Sequence, residues 1–230
     1  MISLMGIKGI KSILPDPKII EPQEYASKKI AVDTSIYLYK YVYGYGPEKF
    51  IDGFKQLVNN WKNSVLIFIF DGPPPELKKK VIEKRKENTE KISITKEMIQ
   101  DLKDFFVSKD IEFIVAEGEA EKTAAIKNKN NEVDAVMTND LDAFLFGGLK
   151  VIRNLKGTEY AEYNISIILE ELGISFQQFL EVCIACGTDY HPEGIKRFGP
   201  KKSLKYIKEN ETLEKLFTEE HFLAMEEFKK

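Results

Sequence analysis

The sequence predicts an α/β fold: a mainly parallel central sheet flanked by helices, followed by an all-helical C-terminal part. Three observations predict it. Four runs, Lys29–Val32 (KIAV), Ser64–Phe70 (SVLIFIF), Ile111–Ala116 (IEFIVA) and Ala135–Thr138 (AVMT), are almost continuously apolar, as strands covered on both faces are. Helical patterns lie between them, and this alternation argues a parallel sheet. After about residue 164 the strand signals stop.

The elements follow in chain order. Asp33-Thr34-Ser35, directly after the first run, reads as a helix N-cap. The tyrosines at 37, 39, 41, 43 and 45 alternate with the period of a strand; the cap favours a helix there. Phe50, Phe54, Leu57 and Trp61 recur at helical spacing. Met98, Ile99, Leu102, Phe105 and Phe106 make a second apolar stripe, on a helix expected over 95–108. A third helix is expected over Glu119–Lys127. Weaker strands are expected at Lys150–Arg153 and Glu159–Tyr163, and helices over 164–172, 175–186 and 200–209. The expected division is a core over 1–163 and a helical part over 164–230.

Composition bounds the function. The chain has 230 residues, 43% hydrophobic and 31% charged, with a formal net charge of −3. This describes a soluble globular protein of one domain, or one with a small appendage. No run reaches the roughly 18 apolar residues of a membrane span. Lys8 and Lys11 interrupt the apolar start and no small-residue cleavage site follows, so no signal peptide is expected. Two cysteines give no disulfide framework and suit a reducing intracellular compartment, nucleus or cytoplasm. Cys183 and Cys186 form a single Cys-x-x-Cys in an apolar helix, which reads as core packing. The two histidines, His191 and His221, exclude a His-rich metal site and read as surface or local structure.

The positive charge is concentrated. Lys78–Lys91 holds seven Lys/Arg against three Glu, and Lys196–Lys208 holds six against none. The second segment places a Phe-Gly-Pro turn before a helix with a basic first turn. Helix N-termini suit phosphate, so this element reads as a clamp on a nucleic-acid backbone.

The acids are more telling. Asp33 follows KIAV, Asp71 follows LIFIF, Glu119 and Glu121 come after IEFIVA, and Asp140 and Asp142 come after AVMT. In an open parallel sheet these positions share one edge, where ligands bind. Asp189 ends the apolar helix before the basic turn-helix. Each acid alone has a structural reading as a cap or turn residue. Together they call for a cation, and oxygen-only ligation favours Mg²⁺ or Mn²⁺. Several carboxylates can hold two ions about 4 Å apart, the arrangement that cleaves phosphodiesters. Residues 119 and 121 point about 200° apart on an ideal helix, so both reach one site only if Glu119 lies at or before the first turn.

Six segments, in this order and spacing, resemble the flap endonuclease / XPG-type structure-specific 5′ nucleases. They are MGIKGIKSILP (5–15), IAVDTSIYLY (30–39), FIFDGPPPELKKKVIEKR (68–85), AEGEAEKTAA (116–125), VMTNDLDAFLFGG (136–148) and CIACGTDYHPEGIKRFGPKKSLKYI (183–207). The resemblance implies a PIN-like nuclease core with a helix–two-turn–helix element in the helical part. It implies that Asp33, Asp71, Glu119, Glu121, Asp140, Asp142 and Asp189 are metal-site acids for two Mg²⁺, with Mn²⁺ as a substitute. Lys78 and Arg85 match the basic pair that reaches the scissile phosphate from the arch, here about 76–94. Gly6 matches the glycine region near the active site, and Tyr39 the aromatic that stacks on a base. Lys196, Arg197, Gly199, Pro200, Lys201, Lys202 and Lys205 fall on the element that grips the duplex, whose hairpin in the family often binds a monovalent cation, K⁺.

The chain departs from the family in several places. Four residues precede Met5, where the family usually starts, so the native start is Met1 or Met5. Only 34 positions separate Arg85 from Glu119, so the arch is short. Arg197 stands where the hairpin usually has glycine. No sliding-clamp motif is visible, and a monomer is expected. The sequence thus points to a Mg²⁺-dependent 5′ nuclease on branched or nicked DNA. Two alternatives stay open: a related nuclease acting on RNA, and a non-catalytic scaffold that binds nucleic acid or protein.

Overall fold

Alternation along the strands decides how the sheet is covered. The computed structural model describes residues 6–73 and 94–229. Seven strands form one sheet: β1 (Lys18–Ile20), β2 (Lys29–Asp33), β3 (Val65–Phe70), β4 (Phe113–Val115), β5 (Ala135–Met137), β6 (Lys150–Lys156) and β7 (Glu159–Asn164), in the order β1-β7-β6-β5-β2-β3-β4. The five from β6 to β4 pair in parallel. β7 is antiparallel to both β6 and β1. The chain runs outward from β2 to β4, then returns to the other side of β2 for β5, which puts a switch point between β2 and β5.

Ile30, Val32, Leu66, Phe68, Phe70, Ala135 and Met137 face one side, while Ala31, Ile67, Ile69 and Val136 face the other, and each side has its own buried core. The first side is covered by α1 (Thr34–Tyr45), α2 (Phe50–Asn60) and α3 (Lys96–Ser108). α1 is a helix despite its alternating tyrosines because Asp33 caps it, accepting from the Ile36 N–H at 3.5 Å. Tyr37 and Tyr41, one turn apart, are buried, and Tyr39, Tyr43 and Tyr45 are exposed. Phe106 of α3 stacks on Phe68 with ring centroids 4.3 Å apart and meets Phe54 edge-on at 5.8 Å.

The second side carries α4 (Ala120–Lys129), α5 (Ile165–Leu172), α6 (Phe176–Cys186), α7 (Pro200–Asn210) and α8 (Glu219–Lys229). Ala120, Ala124 and Ala125 are buried on α4, where small side chains suit close approach to the sheet. One apolar cluster runs from Ala31 and Val136 through Phe179 and Cys183 to Met225 and Phe228, so the helical part shares its core with the sheet. Cys183 and Cys186 are free and buried; burial raises both thiol pKa values, that of Cys186 to about 12. Glu181 is buried on α6 because its carboxylate accepts from the Thr212 hydroxyl (2.9 Å) and the Leu213 N–H (2.6 Å). β1 carried no strand signal in the sequence; the antiparallel partner β7 makes it one. Among the described residues no helix is long and apolar enough to cross a membrane.

Phe106→Ala should destabilise the fold by about 3–5 kcal/mol through the cavity it leaves. Val107→Ala, next to it and 68% exposed, should change stability by less than about 0.5 kcal/mol. Urea unfolding of both variants checks the pair.

Candidate active site

Parallel strands bring their carboxyl ends to one edge, and the acids follow those ends. Asp33 closes β2, Asp71 follows β3, Glu119 follows β4, and Asp140 and Asp142 follow β5. Asp33, Asp140, Asp142 and Asp189 are buried, Glu119 and Glu121 are half-buried, and Asp71 is exposed.

Donors from elsewhere in the chain hold these carboxylates. The Thr138 hydroxyl donates to Asp33 Oδ2 at 3.2 Å and accepts the Asp140 N–H at 3.2 Å. The Asp142 N–H donates to Asp140 Oδ1 at 3.0 Å. The Ser35 hydroxyl donates to Asp71 Oδ2. The first N–H of α4, that of Ala120, donates to Asp71 Oδ1 at 2.8 Å. Glu119 is the N-cap of that helix and Glu121 lies in its first turn. The condition that Glu119 lie ahead of the helix is therefore met. Arg153 of β6, also buried, donates from Nε to the Asn139 carbonyl at 3.1 Å and so fixes the loop that carries Asp140.

Electrostatics shows which acids feel one another. Burial, then the charges of Asp71 and Asp140, push the Asp33 pKa up to about 7, against the hydrogen bonds from Ile36 and Thr138. Asp33, Asp71 and Asp140 are thus one coupled set. The phenol of Tyr190 is raised by burial, then by its bond to Glu119 and the charges of Glu119, Glu227 and Glu121. Glu119 and Glu121 thus lie beside Tyr190, which follows Asp189 in the loop after α6. The Ala120 N–H on Asp71 links Glu119 to the coupled set. Asp142 lies near α6, where its charge adds to the rise in the Cys183 pKa.

The N-terminal segment closes the edge. Gly6 has φ +120°, and a Cβ there would lie 2.2 Å from Asp140 Oδ1, so only glycine fits. Two residues on, the Lys8 N–H donates to the Gly187 carbonyl at 3.2 Å, and Gly9 packs against Pro200 at the start of α7. Tyr39 stands exposed on α1, near enough to Asp71 for that charge to add to the rise in its phenol pKa. In the basic element, Gly199 is the N-cap of α7 and Pro200 its first residue, with no acid in the first turn. Arg197 adopts φ +66°, the left-handed conformation glycine favours. Lys202 lies 4.1 Å over the Phe198 ring, and Lys205 pairs with Glu209 at 3.7 Å on the surface. Lys196 and Lys201 fall in the same element. Lys78, Arg85 and the arch lie outside the described residues.

The donor set is carboxylate oxygen, which suits a hard divalent cation, and a cation beside Asp33 would offset the repulsion that raises its pKa. The residues therefore fit Mg²⁺ or Mn²⁺. Among the described residues no three or more His, Cys, Asp or Glu side chains already surround one ion position. Ser35, Thr138, Arg153 and Tyr190 escaped the sequence reading. The signal for three of them was slight, a hydroxyl within two residues of an acid.

The family described as the XPG N-terminal domain matches residues 5–92, and the XPG I-region matches residues 110–189. The chain belongs to the XPG nuclease family. Members are hydrolytic phosphodiesterases, and so is this protein. This XPG-family chain is 27% identical to flap endonuclease 1 of Ignicoccus hospitalis, covering 93% of this chain and 77% of that protein. It is 33% identical to flap endonuclease 1 of Staphylothermus marinus, over 71% of this chain and 58% of that protein. It also resembles the catalytic core of Rad2 in complex with a DNA substrate, with a TM-score of 0.81 at 28% identity, over 92% of this chain and 71% of that one.

A carboxyl pKa raised from 3.8 to about 7 on folding means that the folded XPG chain holds a proton the unfolded chain has released. Stability then falls as pH rises from about 4 to 7 and the deficit is complete above 7. Asp33→Asn removes it. In chelator at pH 8 the variant should melt above the wild type by several degrees. The difference should shrink as pH falls towards 4, as thermal unfolding across that range would show.

Proposed function

We propose that this protein is a Mg²⁺-dependent, structure-specific 5′ nuclease that hydrolyses phosphodiester bonds in branched or nicked DNA with two ions held by its acids. The observation that carries the reading is the coupled set of Asp33, Asp71 and Asp140 at the carboxyl edge of the sheet, in a chain of the XPG family. Bound there, divalent ions would supply a lowered water pKa and charge stabilisation at the leaving 3′ oxygen.

The chain's own residues supply placement. Thr138 and Ser35 orient Asp33 and Asp71 by donated hydrogen bonds, and each carboxylate oxygen keeps a lone pair that a cation could take. Glycine at position 6 lets the backbone lie against Asp140. Glu119, Glu121, Asp142 and Asp189 complete the acids by resemblance. Tyr39, exposed beside Asp71, would by resemblance stack on a base next to the cut, a contact worth about 1–3 kcal/mol. Lys78 and Arg85, by resemblance, offset phosphate charge as the bond breaks. The acid-free first turn of α7, with Lys201 and Lys202, would hold a duplex phosphate backbone, assisted by Lys196, Arg197 and Lys205. The Rad2 core, to which this chain is similar, carries a DNA substrate, which supports nucleic acid as the partner.

End-labelled flap, nicked, gapped and single-stranded DNA, with matched RNA, tests this in one panel. With Mg²⁺ the wild type should cut branched or nicked DNA and leave a 5′ phosphate. Asp140→Asn should lower the rate by at least about 100-fold while DNA binding, read by gel shift, is kept. Preferred cutting of RNA, or binding of DNA without any cutting by the wild type, overturns the reading.

A further inference from the structure

Tyr190 sits where the loop after α6 meets α4 and α8. Its ring is buried and meets Phe228 of α8 edge-on, centroids 5.1 Å apart at 86°. Phe146 closes the group, 4.9 Å from Phe228 and 6.3 Å from Tyr190. Core packing accounts for the ring, but not for the hydroxyl, which donates to Glu119 Oε2. Glu119 is the N-cap of α4, yet its side chain makes no capping bond. Asp71 takes the Ala120 N–H instead. An N-cap carboxylate would ordinarily fold back onto its own helix; this one turns to a tyrosine 71 residues away.

Helix α8 grips the same loop a second time. His221, seven residues before Phe228 and so on the same helix face, lies with its ring 4.3 Å from that of His191, the residue after Tyr190. His221 is itself buried, stacked on Phe217 at 5.1 Å, with Nδ1 accepting from the Thr218 N–H at 3.1 Å. The last helix therefore holds this loop at two successive residues, Tyr190 and His191.

We infer that Tyr190 is a positioning residue of the active site: its hydroxyl fixes the Glu119 carboxylate towards the metal-binding edge, and Phe228 of α8 fixes Tyr190. The inference rests on the nuclease reading above. A Glu side chain has three rotatable bonds, and a donor that holds one oxygen selects one conformer of the carboxylate. Groups that orient metal ligands in this way are worth about 10–100-fold in metal affinity or activity.

Tyr190→Phe keeps the ring and removes only the donor. Mg²⁺ binding, measured by calorimetry without DNA, should weaken roughly tenfold, with the melting temperature close to that of the wild type. At limiting Mg²⁺ kcat should fall by a similar factor with KM for DNA unchanged, and saturating Mg²⁺ should restore it. Phe228→Ala should weaken Mg²⁺ binding in the same direction, Phe228→Leu should recover most of it, and the double variant Tyr190→Phe/Phe228→Ala should be no worse than the weaker single one. A Tyr190→Phe protein with wild-type Mg²⁺ affinity overturns the positioning role, whatever its stability. If that variant is unchanged while the wild type binds Mg²⁺ and cuts DNA, only the role of Tyr190 falls. A wild type that neither binds Mg²⁺ nor cuts DNA overturns the nuclease reading together with it.

Discussion

Like charges must be held together at the end of a parallel sheet, and much of the local architecture serves that constraint. Burial and the charges of Asp71 and Asp140 disfavour the charged form of Asp33 and raise its pKa. Burial makes the repulsion worse, since the charged form loses its water. The structure answers with donors that cross between elements. Ser35 is near Asp33 in sequence but donates to Asp71. Thr138 is near Asp140 but donates to Asp33. Tyr190 is next to Asp189 but donates to Glu119. Each hydroxyl ties its own element to the acid of another, so the acids become a property of the assembled edge rather than of any one strand.

Two segments far apart in the chain contribute to this edge. The N-terminal segment threads Gly6 against Asp140, bonds Lys8 to Gly187 and rests Gly9 on Pro200. It therefore touches the acids and the basic turn-helix within four residues. The last helix packs His221 and Phe228 on the loop that carries Asp189. Nuclease core and helical part are coupled through that loop, and the continuous apolar cluster from Val136 to Phe228 makes the coupling stiff. A duplex held by α7 would then lie at a fixed offset from the carboxylates.

The overall charge of −3 conceals this arrangement. Acids gather at the strand ends, whereas the first turn of α7 carries Lys201 and Lys202 and no acid, so the small sum hides a local separation of charge. Arg197 shows how strongly the turn before α7 is specified. It keeps a glycine-like backbone, φ +66°, with a side chain present, which costs roughly 1–2 kcal/mol.

The sequence alone determined the mainly parallel sheet, which segments are its strongest strands and the place of the acids at their ends. These are local facts: apolar runs need two covered faces, and a residue following a parallel strand falls on one known edge. It also favoured a helix after Asp33, which the structure sets at Thr34–Tyr45, because an N-cap aspartate outweighs the period of the tyrosines. Tertiary structure alone decided β1, a three-residue strand without an intrinsic signal that exists because β7 offers an antiparallel partner. It decided that His221 is buried rather than at the surface, since α8 folds back onto a loop 30 residues earlier. It decided, too, which hydroxyl serves which carboxylate. Pairings such as Tyr190 with Glu119 join residues far apart in the chain, and no periodicity or spacing encodes a contact that forms only when separate elements pack.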